Sequence, residues 1–151
     1  MCLRFCLSRF GRLLRFDRLP VALTPDDGFT RFLFQKSQYT QSTGRVKPPC
    51  LLPDPRKTRL ETSVNRTDGL QPFWIWVLGY EYVETPQRRI RARASGVVSM
   101  VTAHGLHIDV NGRPYPRHAD IIGWPITKHE QMMLATNIAN ELSLAIDPRP
   151  Q

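Results

Sequence analysis

Near the C-terminus, Leu134, Ile138, Leu142 and Ala145 trace one apolar stripe that reaches Ile146, the spacing of a helix face turned toward a core. Thr127 and Glu130 stand ahead of it as a capping box, the hydroxyl accepting from the third helical amide while the carboxylate reaches back. Asp147-Pro148 stops the run, because the residue before a proline is driven out of helical geometry. The pattern predicts a helix from 127 to 146.

Elsewhere the period is two. LETSVNR sets Leu60, Thr62 and Val64 against Glu61, Ser63 and Asn65, and LHIDVNG sets Leu106, Ile108 and Val110 against His107 and Asp109. Both read as strands with one buried face. Asn111-Gly112 is a turn signal, so HADIIGW after it supplies the second strand of a hairpin, with Ala119 to Ile122 buried. FTRFLFQK, from Phe29, is short and aromatic and reads as a strand with Phe32 and Phe34 on one face. Pro48, Pro49, Pro53 and Pro55 exclude helix from VKPPCLLPDPRK and favour an extended path.

Two segments are ambiguous. In LQPFWIWVLGYEYV, aromatic and β-branched content argues strand, whereas Pro72 in a first turn and the spacing of Leu70, Trp74, Val77 and Leu78 argue helix. We favour the helix. For 96–105, a short helix capped by Ser95 and a strand are both open. Together the elements predict a small single-domain α+β fold: a short mixed or antiparallel sheet packed against the C-terminal helix and one or two further helices.

Residues 1–28 differ from the rest. Arg4, Arg9, Arg12, Arg15 and Arg18 interleave with Leu, Phe and Cys, then TPDDG forms a loop. The arginines interrupt every apolar run long enough for a secretory signal, and we read 1–28 as an extension carrying no fold, 29–147 as the domain and 148–151 as a tail. No apolar run approaches the ~20 residues of a membrane helix. Cys2, Cys6 and Cys50 are an odd count without a paired motif, which points to a reducing, cytoplasmic compartment.

Charge adds the first functional hint. There are 21 Lys+Arg against 13 Asp+Glu, a formal +8, and only four of the cations are lysines. Guanidinium forks suit phosphate and carboxylate, so an acidic partner is expected, nucleic acid above all. The competing reading is a solvated surface. Arg89, Arg91 and Arg93 alternate with Ile90 and Ala92, which would align three guanidiniums on one side of an extended segment and let them track a phosphate backbone. The alternative there is a charged edge strand. Arg66 joins the candidate anion-binding set, as do Arg117 and His118 before the last helix and Lys128 in its first turn. Cations in a first turn oppose the helix dipole, a conflict that a bound anion would remove.

Metal is disfavoured. His104 and His107 form the single H-x-x-H pair, and Gly105 interrupts its scaffold. Cys50 sits in an apolar Pro-Pro-Cys-Leu-Leu context that disfavours a thiolate. No nucleotide-binding or nucleophile-elbow motif occurs, and no cofactor is expected.

TRFLF, RVKP, RTDGL and above all PRHADIIGWP before a C-terminal helix resemble a group of short, uncharacterised bacterial proteins. The resemblance covers Phe29 to Ile146. It carries no catalytic residues and mildly supports a helix after Asp68, although Pro72 departs from it. The leading expectation is a non-enzymatic binding protein for an acidic partner. The rivals are a phosphate- or nucleotide-handling enzyme, with His118 as acid/base and Arg66, Arg93 and Arg117 neutralising the substrate, and a protein-interaction subunit of a larger assembly.

Overall fold

The structure is a computed structural model that describes residues 19–150. The arginine-rich stretch 1–18, read as carrying no fold, lies outside the described residues. The domain is built on a six-stranded sheet whose pairings are all antiparallel. Its centre is β1 (Gly28–Leu33), flanked by β4 (Thr62–Arg66) and β5 (Ala92–Val97). Beyond β4 lie β7 (His118–Ile122) and β6 (His107–Asp109), and beyond β5 lies β8 (Ser143–Ile146). A separate two-stranded ribbon joins β2 (Tyr39–Thr40) to β3 (Arg45–Val46). The α+β expectation holds, as does the β6–β7 hairpin after Asn111-Gly112.

Strand alternation sends Phe29, Leu33, Val64, Ala92, Ala94, Ala119 and Ile121 into the main core, which is closed by α3 (Lys128–Glu141) through Ala135, Ile138 and Ala139. A one-turn helix, α2 (Ser99–Thr102), adds Val101 to that layer. The opposite face is covered by α1 (Pro72–Tyr82), whose Ile75 and Trp76 pack on Phe32 and Ile90. The helix reading of this segment holds. Ile75 through Gly79 are all buried, so α1 has no solvent face over those positions, which is why its apolar residues form a block rather than a stripe. Pro72 takes the first-turn position that needs no amide partner.

The segment 96–105 divides between the two readings: β5 runs to Val97, and α2 follows within two residues. The C-terminal helix is a correction. It ends at Glu141, and Leu142 turns extended at φ −74° and ψ 144°. From there Ser143–Ile146 pairs with β5, Ala92↔Ile146 through Ser95↔Ser143. Leu142, Leu144 and Ile146 carry a two-residue period into the main core, while Ala145 packs on the α1 face. The stripe read at helical spacing is a helix followed by a strand, and unpaired ladder groups along β5 decide where one becomes the other. Chain ahead of Phe29 is also tied in: the Pro25 and Asp27 carbonyls accept from Ser99 and Val98.

Gly79 sets how closely α1 approaches the sheet. A Cβ there would lie 2.6 Å from the Phe32 ring and 2.8 Å from Ile90 Cδ1. Both neighbours are buried and neither can swing into solvent. Gly79→Ala is expected to cost about 1–3 kcal/mol, read as a lowered urea midpoint at unchanged m-value; a neutral result would show that α1 lifts freely from the sheet.

Candidate functional site

The residues singled out from sequence do not converge on one place. The first place joins the RTDGL and PRHAD segments. The turn after β4 swings Asp68 back beside Arg66, with Gly69 at φ +73° where a side chain is disfavoured. Arg66 donates Nε and Nη2 to the two Asp68 oxygens at 2.8 Å each, and Nη1 to the Pro20 carbonyl at 2.9 Å. Arg117 Nη1 donates to the Asp68 carbonyl at 2.9 Å and lies 3.9 Å from Oδ1. Arg66 and Arg117 are each only 3% exposed. Burial alone would raise the Asp68 carboxyl, but hydrogen bonds and charge from Arg66, with the charge of Arg117, outweigh it and hold the pKa below its ordinary value. These two arginines are structural partners of Asp68 and present no fork to a ligand.

The second place is His118. Its Nδ1 lies 3.0 Å from Asn111 Oδ1, and Asn111 Nδ2 donates to Asp120 Oδ2 at 2.6 Å. With Nδ1 protonated, Asn111 relays the imidazole to a buried carboxylate and leaves Nε2 as the basic nitrogen. Ser63 Oγ donates to Asp120 Oδ1 at 3.2 Å, and Lys57 Nζ lies 3.8 Å from that same oxygen. The Tyr115 ring meets the imidazole edge-on, and its hydroxyl donates to Asn65 Oδ1. Burial depresses the His118 pKa below 6.5, against an upward pull from Asp120. This is a well-oriented imidazole. The cations expected to neutralise a substrate beside it are spent elsewhere, Arg66 and Arg117 on Asp68 and Arg93 under α1.

The arginine row does not form a ladder. Arg93 alone lies within β5, donating Nη1 to Ser95 Oγ at 2.7 Å with its guanidinium carbon 5.1 Å from the Trp76 ring centre. Its Nε is buried without a hydrogen-bond partner among the described residues, and burial lowers its pKa. Arg91 hydrogen-bonds through its backbone to Leu33 and Asp147 just before the strand, and Arg89 donates Nη2 to the Pro150 carbonyl at 2.5 Å. The strand begins at Ala92, one residue after Arg91 and three after Arg89, so the three are not aligned.

The third place, apart from Lys128, was not read from the sequence. β1 and β4 pair only at Phe29↔Arg66 and Thr30↔Asn65, so the strands part beyond them. Arg31 fills the parting. Its Nη1 donates to the Ser63 carbonyl at 2.5 Å, an acceptor the ladder has given up, and its Nε donates to the Cys50 carbonyl at 2.9 Å. From there a cleft of about 850 Å³ opens between the Pro49–Ser63 segment and the start of α3, lined by Arg31, Arg56, Lys57, Arg88 and Lys128 with Asp54 and Glu61 as the two acids.

Arg56 is held by Asp54, through Nε–Oδ1 at 3.0 Å and Nη2–Oδ2 at 2.9 Å, and Lys57 by Glu61 at 2.8 Å. Arg31, Arg88 and Lys128 make no direct ion pair among the described residues, although the charges of Asp54 and Asp120 reach Arg31. Burial pushes the Arg31 pKa down, the mark of a cation held where its charge is costly. Lys128 lines this cleft; Arg117 and His118 do not. The signal for Arg31 lay in TRFLF itself: a strand covered on both faces leaves no solvent side for a cation between Phe29 and Leu33.

Cys50 backs onto Arg31, and burial raises its thiol to about 11, so it is no nucleophile near neutrality. His104 pairs with Glu141 at 3.0 Å, and no three His, Cys, Asp or Glu side chains among the described residues converge as a metal site. No helix among them is long and apolar enough to cross a membrane. No protein-family model, curated protein or solved structure matches this chain.

Asp68→Asn leaves two buried guanidiniums without their counter-charge and is expected to cost about 3–5 kcal/mol, measured by denaturant unfolding. Asp54→Asn, at an exposed pair, serves as the control and shifts the midpoint little. A similar shift for both variants would remove Asp68 from its central role.

Because the His118 pKa is depressed in the fold, the unfolded chain binds a proton that the folded one does not, from 6.5 down to that lowered value. Stability therefore falls as pH drops through this window. In an NMR titration the His118 ring should change below pH 6.5, and Asp120→Asn should move it lower still. A midpoint at or above 6.5 contradicts the buried environment.

Proposed function

We propose that the protein is a binding protein for a phosphate-bearing partner, held in the cleft around Arg31, Arg88 and Lys128. One observation carries this reading: three cations from three separate parts of the chain line one cleft without a direct ion pair among the described residues. A largely buried charge such as Arg31 is costly unless an anion joins it, and a phosphate oxygen supplies that charge together with acceptors for the unused guanidinium edge. Lys128 stands at the first position of α3, where its charge opposes the helix dipole and gains from a nearby anion. The formal charge of +8 adds long-range attraction for such a partner.

Inorganic polyphosphate is a suitable probe, because it offers phosphate charge and nothing else. Calorimetric titration should give an affinity that falls steeply with salt. The double variant Arg88→Gln/Lys128→Gln should weaken binding at low salt by about tenfold or more. It should also flatten the slope of log K against log salt by roughly 1.5–2, the value for two lost phosphate contacts. Equal affinity and slope in the parent and the variant would place the binding outside this cleft.

A further inference from the structure

We infer that the partner is single-stranded nucleic acid, and that Arg88 backed by Phe34 is the platform on which one of its bases stacks. This rests on the phosphate-binding reading of the cleft and adds the chemical class of the ligand.

The observation behind it is a second groove, of about 620 Å³, that shares Arg88 with the cleft. Phe34 lines this groove with Gln35, Gln87, Arg89 and Arg91, and no carboxylate does. Cleft and groove therefore meet at one residue, Arg88, and cations continue from Lys128 and Arg31 on one side to Arg89 and Arg91 on the other. A compact phosphate would need one of these depressions. A chain of phosphates has use for both.

Arg88 itself is built for more than charge. The guanidinium carbon lies 3.8 Å from the centre of the Phe34 ring, so the ring covers one face of the planar group. Arg88 is exposed, and its guanidinium makes no hydrogen bond or ion pair among the described residues. Its backbone is fixed by a tight turn, with the Arg88 amide donating to Thr85 O at 3.0 Å and the Thr85 amide to Arg88 O at 3.4 Å. The side chain thus lies over Phe34 from a fixed backbone, with its other side open to solvent. An outward guanidinium plane is a surface on which an unpaired base stacks, and its edge donors are left for phosphate.

Gln87 stands beside it with an amide that makes no hydrogen bond among the described residues. A polyphosphate has no use for a flat platform or for an amide that both donates and accepts. A duplex has no base face to offer, since each is already stacked.

The test uses fluorescence anisotropy with four probes: labelled oligothymidylate of twelve nucleotides, an abasic oligomer of the same length, a duplex dodecamer and inorganic polyphosphate. Oligothymidylate is expected to bind most tightly. Arg88→Lys keeps the charge and removes the plane, so it should weaken oligothymidylate by about 5- to 100-fold. The same variant should leave the abasic oligomer and polyphosphate within about twofold. Phe34→Leu, with its melting temperature recorded, should give the same selective loss. Abasic oligomer binding as tightly as oligothymidylate overturns the stacking inference while the phosphate reading stands. A duplex binding more tightly than the single strand also overturns it. If none of the four probes binds, the phosphate reading itself fails.

Discussion

β1 keeps its β5 partner from Gly28 to Leu33 but loses β4 after Thr30. A central strand that parts from one neighbour strands the carbonyls that neighbour would have shared, and buried carbonyls must be satisfied. Arg31 supplies the donors, reaching Ser63 O and Cys50 O in place of a ladder. This one substitution of a side chain for a backbone pairing has wide effect. It places a cation inside the sheet, it opens the cleft toward α3, and it ties the proline-rich segment to β1 through the Cys50 carbonyl.

Several of the other described cations are sorted by what they do for the fold. Arg66 and Arg117 hold the Asp68 turn. Arg149 binds both Glu84 oxygens at 2.8 and 2.7 Å, reaches Asp147 at 2.7 Å and covers the Tyr80 ring at 3.8 Å. Such pairs fix how the end of α1 and the chain after β8 meet, and their charges are neutralised where they stand. A basic composition therefore overstates the basic surface. Lys36, Arg45, Lys47 and Arg113 also form no ion pair among the described residues, so what distinguishes Arg31, Arg88 and Lys128 is that they line one cleft together.

The α1 segment and the β6–β7 hairpin were legible from local causes, Pro72 with a dense apolar block and two alternating runs about Asn111-Gly112, although the hairpin connection spans 110–117 and is longer than an Asn-Gly turn. β8 was not legible. Leu142, Leu144 and Ile146 satisfy a strand and a helix nearly equally in sequence, and the choice falls to the edge of β5, about fifty residues earlier in the chain. The arginines misled for a related reason. Arg66, Arg93 and Arg117 look like surface charge until Asp68 and α1 fold over them. Lys128 was legible from its conflict with the helix dipole, whereas Arg31 required knowing that both faces of β1 are covered.

The order in which the ribosome delivers these strands matters as much as their final arrangement. Thr30 finds its β5 partner, Ser95, 65 residues later in the chain. At about 5–20 residues per second, an aromatic strand waits on the order of several seconds for the neighbour that completes it. Throughout that interval FTRFLF is an apolar segment with an unpaired edge, the kind that joins other nascent chains. Arg31 lies in its middle. A charge at that place disfavours pairing of such a segment with its copies, so the residue that forms the seam of the finished sheet is also of the kind that guards an unpaired strand.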